Sequence, residues 1–187
     1  MLPEKNFERV EQLIYDLLVA LGEDPERDGL KETPHRVAKL YSDILDGNFH
    51  KQPDIKVFEE KTYNNVVTVK KVPFYAFCEH HLLMFFGTFS VGYIPDKRVA
   101  GLSKLVRVFR YYTKRPAIQE RLTAQTVDAI MTTVQPKGVI VYVEAEHTCM
   151  TLRGIKSPGS LTTTTAYRGV FAEEIELRQQ FLNEVCK

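Results

Sequence analysis

Strand-forming stretches come in two pairs with helices between them, and this order limits the fold more than any other feature of the chain. Residues 66–72 are β-branched and partly alternating, and residues 84–94 are aromatic and β-branched up to Pro95 and Asp96. A second pair covers residues 138–146 and 161–171, the latter with four consecutive threonines. Between the pairs, Ser103 can cap a helix running to about residue 113, Arg115 and Pro116 interrupt it, and another helix continues to about residue 134. A last helix is expected over residues 173–185. At the front, Phe7, Val10, Leu13, Ile14, Leu17, Leu18 and Leu21 follow helical spacing until Gly22. Thr33 and Pro34 open a second helix that buries Val37, Leu40, Tyr41 and Ile44 and ends near Gly47. These two helices predict an N-terminal helical hairpin. The whole predicts an α+β fold with an antiparallel sheet. The hairpin and a connector occupy residues 1–60 and the sheet-bearing region residues 61–187, as one compact domain overall. Sheet edges are normally blunted or paired, so an oligomer closed through the sheets is expected.

A chain of 187 residues, 44% of them hydrophobic, can bury one sizeable core. Its formal net charge of +1 excludes a nucleic-acid binder driven by bulk positive charge, but leaves room for a local basic pocket that takes a phosphorylated small molecule. Apolar runs such as residues 139–143 fall far short of the ~20 residues of a spanning helix, and the N-terminus lacks a signal pattern. A cytoplasmic protein without membrane contact is expected. In that compartment Cys78, Cys149 and Cys186 read as thiols or metal ligands rather than as disulfide partners.

Two of the three cysteines and three of the five histidines fall in two tight clusters, Cys78-Glu79-His80-His81 and His147-Thr148-Cys149. Cys78 and His81 stand close enough in a loop to reach one ion. On a strand, His147 and Cys149 would share a face. Zinc favours thiolate and imidazole in tetrahedral geometry. With Cys78, His81 and Cys149 as ligands and water as the fourth, the site is catalytic, and His80 and His147 remain nearby to move protons. With two histidines as well as two cysteines it is closed and structural. Spacing alone leaves both open, together with the reading of buried cysteine as a small hydrophobe. Cys186, without a histidine partner, reads as an ordinary thiol.

Ser103, Lys104 and Arg107 lie at a predicted helix start, where free N–H groups favour anions. Arg36 with Lys39, and Arg153 four residues beyond Cys149, are further candidates for phosphate. Each of these, taken singly, is more often a solvent-facing cation. Guanine presents two adjacent donors, N1–H and the 2-amino group, which one carboxylate can accept. Glu120, in the stretch Gln119-Glu120-Arg121, offers such a carboxylate, although acidic residues are also common at helix starts.

Together, Cys78-Glu79-His80-His81, Gly101-Leu102-Ser103-Lys104, Arg115-Pro116, Gln119-Glu120-Arg121-Leu122-Thr123, His147-Thr148-Cys149-Met150 and Arg153-Gly154 resemble the GTP cyclohydrolase I family in order and spacing, from about Thr33 to Phe171. The resemblance implies the tunnelling fold, with two strands, two helices and two strands behind an N-terminal helical hairpin. It implies sheets joined between subunits into pentameric barrels, two of which stack into a homodecamer, with the active site between subunits. It implies Cys78, His81 and Cys149 as zinc ligands and His80 and His147 as proton-transfer residues. Glu120, helped by Gln119, would hold guanine; Lys104, Arg107, Arg153, Arg36 and Lys39 would surround the triphosphate, with Ser103 near the ribose and phosphates. The implied reaction converts GTP and water to 7,8-dihydroneopterin triphosphate and formate, the first step of folate and pterin synthesis. Ala76 and Met84 depart from the residues frequent at those positions, serine and proline, and neither removes a group the chemistry needs. Two relatives of the fold compete. Pterin synthases hold zinc with three histidines, which the two thiols disfavour, and nitrile reductases use a cysteine without zinc, which the Cys78 and His81 pair disfavours. A non-enzymatic oligomer with structural zinc would need a fourth protein ligand, His80 or His147.

Overall fold

The computed structural model describes residues 6–187, which form two compact units meeting at Lys51 and Gln52. In the first unit, α1 (Phe7–Ala20) packs on α2 (Thr33–Ile44), followed by a 3-10 turn at Gly47–Phe49. Asn6 accepts a hydrogen bond from the Arg9 amide and so caps α1. The Phe7 and His35 rings meet edge to face, and Glu11 pairs with His35 across the two helices. α2 begins at Thr33 itself, behind Glu32, and no side chain caps it; Pro34 in its first turn supplies the helical φ instead.

The second unit runs β1 (Val57–Glu59), β2 (Val67–Cys78), β3 (Met84–Ile94), β4 (Arg98–Ala100), α3 (Leu102–Thr113), β5 (Pro116–Ala117), α4 (Gln119–Val134), β6 (Gly138–His147), α5 (Thr148–Thr151), β7 (Leu161–Gly169), α6 (Val170–Glu173) and α7 (Ile175–Val185). Its main sheet has the order β5-β2-β3-β6-β7, antiparallel except where β5 joins β2 in parallel. β1 and β4 form a separate two-stranded ribbon. This is the α+β arrangement that the strand order predicts. No helix among the described residues is long and apolar enough to cross a membrane.

Several boundaries differ from the expectation. β2 continues through Pro73 to Cys78, because Pro73 lies where β2 is a sheet edge: β5 touches only Phe77 and Cys78, so a missing N–H costs no ladder bond on that side. A bulge between Val69 and Val72 sets Lys71 at φ 55°, with its amide donating to Ser90 Oγ. Ser103 does not cap α3. Gly101 takes that position, and Ser103 lies inside the first turn. Neither α3 nor α4 has a side-chain N-cap. A cap contributes about 1 kcal/mol, whereas full burial of a Leu, Ile or Phe contributes about 1.5–3. Leu105, Val108 and Phe109 of α3 and Leu122, Val127, Ile130 and Val134 of α4 are all fully buried, so packing decides that these helices form.

They pack on one face of the sheet. Period-2 alternation aims Phe74, Ala76 and Cys78 of β2, Phe85, Phe89 and Val91 of β3, and Val139, Val141, Val143 and Ala145 of β6 at α3 and α4. Phe89 stacks on Phe109, with centroids 3.9 Å apart, and Phe74 meets Phe109 edge-on. The opposite face carries a smaller cluster, where Ile140 and Tyr142 lie under Phe171, Phe181 and Val185. β3 lies tight against β6 at Gly87, where an added Cβ would stand 2.0 Å from the Glu144 carbonyl oxygen. Gly87→Ala is expected to cost about 3 kcal/mol, since the neighbour is backbone that cannot swing away. A thermal melt unchanged from wild type would count against that close approach.

Candidate functional site

The two inner-face stripes of β2 and β6 end in candidate site residues, Cys78 and His147. Cys78 is the next inward position after Phe74 and Ala76, and it is buried. His147 is the next after Val143 and Ala145. β3 lies between β2 and β6, pairing Phe77 with Met84 and Phe85 with His147, so both stripes finish at the same end of the sheet.

Residues 79–83 reverse the chain between β2 and β3. The Cys78 amide donates to Leu83 O, the Leu82 amide to Cys78 O, and Leu82 takes a left-handed φ of 52°. The turn is tied to the start of α4. The Glu79 amide donates to Ala117 O, and Arg121 grips the Glu79 carboxylate with both terminal nitrogens, at 2.7 and 3.2 Å. That grip holds the Glu79 carboxyl below the usual range.

β6 stops at His147, and Cys149 lies in the single helical turn α5. A shared strand face therefore does not relate His147 to Cys149. The helical turn itself directs the thiol, anchored where Thr148 Oγ1 donates to Met84 O at the start of β3. The result joins the two sequence clusters: ligand atoms of Cys78, His81 and Cys149 all lie within 4.8 Å of one another. Burial raises the Cys149 thiol above its ordinary pKa, and the adjacent Cys78 thiol raises it further. Arg153 Nη1 stands 2.7 Å from His81 Nε2. A guanidinium only donates, so Nε2 accepts in this contact, and Arg153 must withdraw before the same lone pair can serve an ion. Two thiols and one imidazole are a donor set suited to a soft or borderline cation such as zinc.

His80 is exposed on the same turn, its Nδ1 3.7 Å from Cys78 Sγ. His147 is half-buried; its ring lies flat on Phe85, with centroids 4.5 Å apart and planes 3° from parallel. Burial depresses its pKa, and the Glu120 carboxylate pulls in the other direction. Glu120 is exposed, and no hydrogen bond or ion pair among the described residues takes up its carboxylate. Gln119, its neighbour, is 1% exposed and bonded through both ends of its amide to β6, β7 and His147.

The remaining predicted residues lie elsewhere. α3 starts where the Ala100 amide donates to Tyr93 Oη and the Gly101 amide to Lys56 O. Tyr93 pairs with Val139, at the far end of β3 from Phe85 and His147. Ser103 and Lys104 therefore enter at the opposite end of the sheet from Cys78, with Arg107 one turn further along α3. Arg36 and Lys39 are exposed on α2, in the first unit. Residue pattern alone gave no role to Glu79, Phe85, Arg121, Thr123 or Thr164. Arg121 and Thr123 belong to one of the motifs that carry the family resemblance, and Thr164 to a threonine run that signals only strand.

A family model described as GTP cyclohydrolase I matches residues 10–186. The chain is 50% identical over 180 residues to the GTP cyclohydrolase 1 of Aquifex aeolicus (strain VF5), covering 95% of this chain and 96% of that protein. It is 49% identical over 185 residues to that of Streptococcus agalactiae serotype III (strain NEM316), covering 97% and 98%. It is 48% identical over 183 residues to that of Mycolicibacterium vanbaalenii, covering 96% and 90%.

Proposed function

The chain belongs to the GTP cyclohydrolase I family, and from that premise we propose that its Cys78, His81 and Cys149 pocket holds zinc and turns GTP and water into 7,8-dihydroneopterin triphosphate and formate. The reaction serves pterin and folate synthesis. The observation that carries the reading is the convergence of two thiols and an imidazole from distant segments, with a half-buried histidine and a free carboxylate flanking them. Neither His80 nor His147 belongs to the group of three, and His147 Nε2 is taken up by Gln119, which supports a position left for the reacting partner, as catalytic zinc requires. Bound there, zinc supplies Lewis acidity that makes water reactive near neutral pH.

The chain's own side chains do the rest. The Glu120 carboxylate accepts from guanine N1–H and the 2-amino group, a pairing that adenine, with an acceptor at N1, does not offer. This sets C8 of the purine toward the pocket. His147 relays a proton to the ring nitrogen that departs as the imidazole ring opens; burial holds its pKa below the ordinary value, so the imidazole is neutral at rest and takes up a proton before it gives one. His80, exposed on the ligand turn, serves the later transfers, in which the ribose opens, rearranges to a ketone and closes onto the freed amine. Arg153, already beside His81, takes phosphate from the pocket side.

Ser103, Lys104 and Arg107 enter from the far end of the sheet, so a second copy of the chain supplies them, and Arg36 and Lys39 add further charge for the triphosphate. The triphosphate stays intact and anchors the substrate while the rings are remade. The strand edges join between copies into a barrel, the tunnelling-fold arrangement, in a decamer of two stacked pentamers; a particle mass below a pentamer would remove that part of the account. The cytoplasm suits a site built on reduced thiols.

The test is direct. Zinc-loaded protein incubated with GTP should release formate in step with a pterin that fluoresces after oxidation. An intact zinc protein that yields neither product holds its ion for structure only.

A further inference from the structure

We infer that Gln119 is a positioning residue that acts on the reaction through His147, fixing that ring's tautomer and its rotation, rather than by touching the base. The inference rests on the proposed function above for what His147 does, but its geometry stands separately. Gln119 Nε2 faces three oxygens: Thr162 O at 3.0 Å, Val143 O at 3.2 Å and Thr164 Oγ1 at 3.2 Å. Two of these are backbone carbonyls, which can only accept. Turning the amide over would set its oxygen against both, so the nitrogen end is fixed there by its partners and the oxygen end must point the other way.

At that other end, Gln119 Oε1 lies 2.8 Å from His147 Nε2. A carboxamide oxygen cannot donate, so His147 Nε2 carries the hydrogen and donates it. Proton exchange with a substrate then falls to Nδ1. The neighbouring hydroxyls reinforce the same direction. Thr123 Oγ1 donates to Gln119 O at 2.7 Å, leaving it to accept from Thr164 Oγ1, also at 2.7 Å, and Thr164 in turn accepts from Gln119 Nε2. Every bond in this loop has one allowed sense. Phe85 sets the plane of the imidazole and Gln119 sets its rotation within that plane. With 1% of its surface exposed and both ends of its amide engaged, Gln119 has nothing left to offer guanine.

Two measurements test this on the intact zinc-loaded assembly. With ¹⁵N-labelled histidine, and the His147 signals identified by their loss in His147→Gln, the wild type should show hydrogen on Nε2 and none on Nδ1. A hydrogen on Nδ1 with a bare Nε2 overturns the inference. In steady-state kinetics Gln119→Met should lower kcat by about 10–100-fold, the size seen when a partner that orients an active imidazole is removed, with KM for GTP little changed. A KM raised tenfold or more at unchanged kcat would make Gln119 a base contact and overturn it as well. Should Gln119→Met fail to fold, the nitrogen measurement on wild type decides alone. A wild-type protein inert towards GTP sinks the proposed reaction, and the tautomer result still decides the positioning.

Discussion

Cys149→Ala is expected to lose its zinc on dialysis and to make no detectable pterin. Altering a residue that merely supports a metal ligand costs about 10–100-fold in affinity. Removing one of three protein ligands costs more, and no spare thiol stands by to replace it. Cys186, the third cysteine, is exposed at the end of α7, on the helix that packs against the other face of the sheet. Cys186→Ala should therefore keep wild-type zinc content and serves as the control for handling and oxidation. Elemental analysis of zinc per chain, beside the pterin assay, reads both proteins. A Cys149→Ala protein with its full complement of zinc would remove Cys149 from the ligand set.

His147→Ala should keep its zinc and lose about 10²–10⁴-fold in kcat, the range for removing a positioned acid or base. Two other losses accompany the change and are small beside that. The stacked contact with Phe85 is worth about 0.5–1.5 kcal/mol, and one hydrogen bond to Gln119 about 1 kcal/mol. Both act on stability, so a melt and a rate measured together separate them from the chemical effect. A kcat within a few-fold of wild type would hand the proton transfers to His80.

The sheet was legible in the residue order, and so was the grouping of Cys78, His81 and Cys149. Side-chain period in a strand is two, so Phe74, Ala76 and Cys78 share a face, but the expected strand ended at residue 72 and left Cys78 in a loop. Alternation likewise puts Val143, Ala145 and His147 on one face. The same rule failed one residue later, because β6 stops at His147 and Cys149 sits in a helical turn fastened to Met84 by Thr148. Pro73 concealed half of β2, since a proline ends a strand by rule unless its nitrogen faces an open edge, and edges are set by partners distant in sequence. The two- and three-residue strands β1, β4 and β5 carry too few residues to show a period. Gln119 beside Glu120 in sequence suggested a shared target. On a helix, consecutive residues point about 100° apart, and one of the pair is buried under β7 while the other faces out. The distance between Ser103 and Cys78 was likewise invisible, because motif order says nothing about which end of a strand a loop leaves from.

The placement of the two sulfurs has a consequence for how the chain reaches its native state. Cys78 closes β2 and Cys149 follows β6, so they become neighbours only once β3 has paired correctly with both. A slip of one residue between β3 and β6 would turn His147 away from the helices and carry Cys149 out of reach. Such long-range pairing forms late and slowly. If the proposed zinc binds there, only the properly threaded sheet would grip it, and the ion would act as an inspector of assembly, rewarding the finished topology by mass action and giving nothing to mis-threaded chains.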